Sequence, residues 1–165
     1  MSAGDVTPDG YRAVAARLAA GVVVVTATLR GTVHAATVSS VTSVSLDPPL
    51  LLFCVHTDAR LRDVLDEVGT WAVSVLADGQ ADVADWLASP GRPAIGQLDR
   101  VPHRTSPVSG APWLDGAAAW FDCTTEAVHP AGDHDVVVGR VLAAAEGEPT
   151  AGGLVHLRGR LHGVR

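Results

Sequence analysis

The chain has 165 residues, a length that fits one folding unit, and its 18 acidic residues outweigh 12 basic ones, all arginine, for a net charge of −6. An acidic chain with no lysine and no basic run is a poor partner for nucleic acid, and the missing lysine also removes P-loop and Schiff-base chemistry. Two cysteines, Cys54 and Cys123, without C-x-x-C spacing exclude a disulfide framework and a cysteine zinc site; no apolar run is long enough for a membrane span and the start lacks a secretory pattern, so a cytoplasmic, metal-free protein is expected.

Residues 1–10 read as a polar lead-in and residues 11–165 as one domain. A helix is expected to start at Thr7-Pro8, carry Tyr11, Val14, Ala15, Leu18 and Ala19 at helical spacing, and close at Gly21. Val22 to Thr28 is β-branched and nearly continuous, as a buried strand should be. Arg30-Gly31-Thr32 turns it into a second strand, Val33 to Val38, forming a hairpin. Leu50 to Val55 is a third strand, opened by Asp47-Pro48-Pro49, where the missing backbone donors require a loop or a strand start. Asp58 to Val68 is amphipathic, with Leu61, Val64, Leu65 and Val68 on one face and Gly69 at the end. Trp71 to Leu76 is a strand and Gln80 to Ala88 a third helix, stopped by Ser89-Pro90-Gly91.

Residues 90–116 hold five of the ten prolines and read as a long surface excursion. Ala118 to Val128 and Val136 to Ala145 are long strands joined by a loop over 129–134, and Leu154 to Leu157 is a last short strand. Strands that follow one another without regularly intervening helices predict a mostly β protein: an antiparallel barrel with flanking helices.

The densest polar segment is Thr37 to Ser45, in which six of nine residues carry hydroxyls. Such a segment either binds a phosphate or the edge of a flat heterocycle, or satisfies its own backbone as a turn. Asp58-Ala59-Arg60 follows a strand and opens a helix, which makes either an anion site or an ordinary Asp cap. His134, flanked by Asp133 and Asp135, is the histidine whose neighbours best fix a tautomer; the alternative is a plain loop residue. Arg158-Gly159-Arg160 is an anion site or a solvated tail.

Taken in order, Gly21 to Thr26, Ala36 to Leu50, Trp71 to Leu76, Leu114 to Ala117, Gly132-Asp133-His134 and Gly139-Arg140-Val141 resemble the short-chain flavin reductase family, the reductase components of two-component flavin monooxygenases. The resemblance implies a split β-barrel that works as a homodimer. It implies NAD(P)H-dependent reduction of FMN or FAD, with reduced flavin passed to a partner monooxygenase. By the same resemblance Thr37, Val38, Ser39 and Ser40 line the isoalloxazine and ribityl chain, with Ser45 and Leu46 near the ring. Phe53, Cys54 and Val55 form part of the slot, Asp58, Ala59 and Arg60 meet the flavin phosphate, His134 faces the nicotinamide, and Arg160 helps hold the pyridine nucleotide. Direct hydride transfer needs no protein nucleophile, which agrees with the missing catalytic motifs. The family usually has Gly at Ala36 and Ser or Asn at Asp58. A flavin- or haem-binding module without turnover, and a flavoenzyme reducing another acceptor with bound flavin, are the alternatives.

Overall fold

The computed structural model describes residues 6–165, which form three helices and twelve strands. Seven strands make one antiparallel sheet: β2 (Val23–Leu29), β3 (Thr32–Val38), β4 (Thr42–Leu46), β5 (Pro49–His56), β6 (Thr70–Val75), β9 (Ala119–Ala131) and β10 (His134–Glu146). Their order is β3-β2-β6-β9-β10-β5-β4, so β3 and β4 are the two edges. Only residues 39–41 separate those edges along the chain, and three residues reach little more than ~10 Å. The sheet must therefore curl until its edges nearly meet, which makes a barrel split along the β3–β4 seam.

Side chains of β2 explain the valine run. Val23 and Val25 enter one core with Phe53, Val55, Trp71, Val73 and Val137. Val22, just ahead of the strand, and Val24 enter a second core with Leu76, Leu114 and Leu154. A strand buried on both faces has no reason to alternate. Helix α2 (Arg60–Val68) adds Leu61, Val64 and Leu65 to the first core, and α3 (Ala81–Ala88) adds Ala84 and Leu87 to the second. Gly69 ends α2 at φ +67, the left-handed conformation expected of a C-terminal glycine.

The structure corrects several boundaries. Helix α1 spans Pro8–Ala15, with the Thr7 hydroxyl capping Gly10, so residues 8–10 are helix rather than lead-in; Met1–Asp5 lie outside the described residues. Gly21 belongs to β1 (Ala20–Gly21), paired with β11 (Gly153–Leu157), and does not cap the helix. The hydroxyl-rich segment contains edge strand β4. The 90–116 excursion contains a small hairpin of β7 (His103–Thr105) and β8 (Pro112–Leu114). Strands β9 and β10 run on to a two-residue turn, Gly132-Asp133, leaving no 129–134 loop. The C-terminal stretch is β12 (Arg160–Val164), folded back on β11 by Arg158 and Gly159, both at positive φ. That turn is the same Arg-Gly turn as Arg30-Gly31 between β2 and β3, and the reading of Arg158-Gly159-Arg160 as an anion site or a solvated tail missed it.

Candidate functional site

The hydroxyl segment is divided between packing and a free surface. Thr37 Oγ1 donates to the Ala84 carbonyl at 2.7 Å, which ties β3 to α3. In the seam, Ser40 Oγ accepts the Cys54 N–H at 2.9 Å and donates to the Cys54 carbonyl at 3.1 Å. That hydroxyl replaces the strand neighbour that Cys54 lacks ahead of the start of β4. Ser39 is exposed and forms no side-chain hydrogen bond among the described residues, so its hydroxyl is free for a ligand. Ser45 is half-buried on β4, and Leu46 is exposed at the strand's end. Val38, Phe53 and Val55 are buried in the first core. Their side chains face that core, while Leu50, Leu52, Cys54 and His56 lie on the other face of β5 by strand alternation.

At the end of β5 the chain forms a rigid corner. Register pairs His134 with His56, and the two rings meet edge to face at 5.2 Å. The Asp133 carbonyl accepts both the N–H and the hydroxyl of Thr57, at 3.0 and 3.2 Å. His134 Nδ1 donates to Asp133 Oδ1 at 2.7 Å, which leaves Nε2 as the outward atom. The His134 hydrogen bond, then its charge, holds the Asp133 carboxyl below its ordinary range. Asp133 therefore stays ionised at neutral pH and the imidazole keeps its orientation.

Beside this corner the Asp58 N–H donates to His56 Nδ1 at 3.1 Å. Asp58 does not cap α2: the capping residue is Ala59 and no side chain closes the helix start. The first turn of α2, with Arg60 on it, is thus open to an anion.

A groove of about 640 Å³ joins Thr37 and Ser39 to Arg160 along one face of α3. Asp85, His156 and Gly159 complete its polar lining. Thr37, Ser39 and Arg160 are brought together there, while His134, Asp58, Ala59 and Arg60 form the separate β5–α2 corner. His156 and Asp85 were not legible as site residues; His156 reads as one more position in a strand, and only the β11–β12 hairpin carries it toward α3. His56 was equally unmarked, since its role depends on strand register. Cys123 is buried, with its thiol pushed up to about 12 by burial and then by Asp122, so it is chemically inert.

A family model described as flavin reductase like domain matches residues 15–165. The chain belongs to this family. BorF, the flavin reductase component of a bacterial two-component tryptophan halogenase, is 41% identical with a TM-score of 0.90, over 96% of this chain and 98% of BorF. SgcE6 of Streptomyces globisporus C-1027, an NADH:FAD oxidoreductase solved with NAD and FAD fragments, is 35% identical with a TM-score of 0.89, over 97% and 96% of the two chains. An NADH-dependent flavin reductase from a Rhodococcus species is 41% identical over 140 residues, 83% of this chain and 76% of that protein.

In this flavin reductase-like chain the residues present fit a flavin. The groove has the volume of a small-molecule site, typically ~300–1,000 Å³. Ser39 offers a free hydroxyl, the α2 start is uncapped, and Arg60 has no carboxylate partner among the described residues.

Proposed function

We propose that the protein is an NADH-dependent flavin reductase that reduces FMN or FAD and passes the reduced flavin to a partner monooxygenase. The observation that carries this reading is the groove in which Thr37 and Ser39 face Arg160 and His156, within a chain that matches the flavin reductase-like model from residue 15 to the end. The names of the relatives support NADH as donor and either flavin as acceptor.

The flavin, when bound, accepts a hydride from the nicotinamide; the chain's own residues bind and orient. Ser39 donates to the polar edge of the ring, and Ser40, fixed on Cys54, holds the seam at a constant width. Arg60 and the open amides of α2 neutralise the flavin phosphate. His134, aimed by Asp133, presents Nε2 to the nicotinamide carboxamide, and Arg160 holds the pyridine nucleotide. Cys54 lies along the same outward face as His56. Val38, Phe53 and Val55 support the slot from the core side, and Ser45 and Leu46 border it at the open edge.

Absorbance of NADH with and without added FAD or FMN tests this. Oxidation that depends on flavin is expected, and its absence with either flavin would refute the reading. His134→Ala is expected to raise the NADH Michaelis constant about 3- to 10-fold, the worth of one hydrogen bond, with flavin affinity unchanged. Loss of flavin affinity instead would make His134 a structural residue.

The reading includes one domain from α1 onward, a homodimer and a reducing cytoplasmic setting. The uncovered outer face of β5 and β10, with Leu50, Leu52, Val136 and Val138 half-buried, supports the dimer. Sedimentation at micromolar protein should show twice the chain mass; a 17.0 kDa species would exclude it. No helix among the described residues is long and apolar enough to cross a membrane.

A further inference from the structure

Two acids flank His134, and they face opposite ways. Asp133 holds the imidazole, whereas Asp135 lies on the inward face of β10 by strand alternation and is buried opposite Val55. There Arg62 of α2 reaches it: Nε donates to Asp135 Oδ2 at 2.5 Å. Nη1 of the same guanidinium lies 2.5 Å from Asp66 Oδ1, one turn further along α2. The Arg62 and Asp135 side chains are only 15% and 11% exposed, so theirs is a buried ion pair, with Asp66 as an outer carboxylate that steadies the guanidinium. None of the roles above uses it.

A buried ion pair adds little net stability, because desolvation offsets the attraction and apolar residues of similar volume often serve as well. What it supplies is direction. Leu61, Val64 and Leu65 seat α2 on the core, but apolar packing by itself has no preferred direction. The start of α2 has no side-chain cap to hold it. Thr57 joins the Gly132-Asp133 turn to the end of β5, ahead of the helix. Among the described residues, Arg62–Asp135 is the one hydrogen-bonded tie between α2 and β10. Its two ends adjoin the groups that the proposed function uses: Arg62 is two residues beyond Arg60, and Asp135 directly follows His134.

We propose that Arg62 and Asp135 are positioning residues for hydride transfer: their ion pair fixes the start of α2, and with it a flavin anchored at Arg60, relative to a nicotinamide held by His134. The inference rests on the flavin reductase reading and adds to it two residues that touch neither ligand. The step itself is unchanged: NADH gives a hydride to the flavin and leaves as NAD+, and the pair exchanges no proton. Hydride transfer demands close alignment of donor and acceptor, and a misplacement of ~1 Å can cost ~100-fold in rate. A tie that holds the two anchors at a constant separation therefore acts on rate rather than on either affinity.

Arg62→Met and the double variant Arg62→Met/Asp135→Leu separate position from stability. Arg62→Met alone leaves Asp135 buried and unpaired, and its melting temperature is expected to fall by roughly 6–20 °C. The double variant removes both charges and should melt within about 3 °C of the unaltered protein. Its rate of FMN reduction by NADH, followed in single turnovers by rapid mixing, should nevertheless be roughly 10- to 100-fold lower, with the dissociation constants of FMN and NAD+ each within about 3-fold. Recovery of the rate together with the melting temperature would overturn the proposal, since the pair would then be only structural. A rate loss matched by an equal loss of FMN affinity would overturn it as well. Should the double variant not fold, Asp135→Asn, which keeps the shape of the side chain, carries the same expected split between rate and affinity and the same refutation. Titration of FMN with and without saturating NAD+ needs no turnover. NAD+ should tighten FMN at least ~5-fold in the unaltered protein and much less in the double variant. A protein with that difference in coupling that oxidises no NADH would keep the positioning and refute the reductase. Coupling equal in the two proteins, or absent from the unaltered one, would overturn the positioning.

Discussion

Arg60→Ala is expected to weaken FMN and FAD alike, by roughly 10- to 100-fold, while riboflavin affinity changes less than about 3-fold. The reason lies in the local geometry of the α2 start. No side chain caps the helix, so its first amides and the Arg60 guanidinium are both free to meet a dianion. Asp58 stands one residue before the cap and offers only repulsion, so Arg60 is the group that makes the corner favourable for phosphate. Riboflavin lacks the phosphate and should be indifferent to the change. Titration by flavin fluorescence at low and high salt checks this, because an exposed charge contact weakens with ionic strength. Equal loss of riboflavin and FMN would remove Arg60 from the phosphate site.

Gly139→Ala is expected to destabilise the fold by about 3 kcal/mol, the upper end for overpacking a rigid core. Gly139 lies on β10 between Leu51 of β5 and Thr125 of β9, at a bulge in the β9–β10 pairing. A methyl group there would stand 2.6 Å from Cη2 of Trp71 and 3.3 Å from Cβ of Cys123. Trp71 cannot retreat. It is fully buried, meets Phe53 edge to face at 5.1 Å, and donates Nε1–H to Thr125 Oγ1 at 3.1 Å. For a chain of this size the loss corresponds to a fall in melting temperature of roughly 6–12 °C. Trp71→Leu alone should also destabilise, yet Gly139→Ala should cost much less in that background, because the ring it strikes is gone. Additive effects in this double-mutant cycle would show that the indole is not the obstacle.

Much of the chain's architecture could be read from local chemistry. The four-valine run announces a strand buried on both faces, and Gly69 announces the end of α2, because each depends on properties of the residues themselves. The flavin reductase resemblance rests on the same kind of information: an ordered series of short motifs, each with its own composition. The Ser/Thr segment was legible as polar and dense but not in its division of labour. Thr37 and Ser40 are spent on the backbone of α3 and β5, and Ser39 is left free, because of which strand each faces across the seam.

What tertiary structure alone decided is pairing. Strand alternation sends Phe53 and Val55 into the core and Cys54 and His56 outward, and only the closed barrel says which set is which. Register brings His134 against His56 from 78 residues away in sequence and welds the Gly132-Asp133 turn to Thr57. The turn at Arg158-Gly159 converts an apparent tail into β12 and delivers Arg160 to the groove. Residue chemistry along the chain determined the elements and the family; long-range hydrogen bonding and burial determined which of those residues share a site.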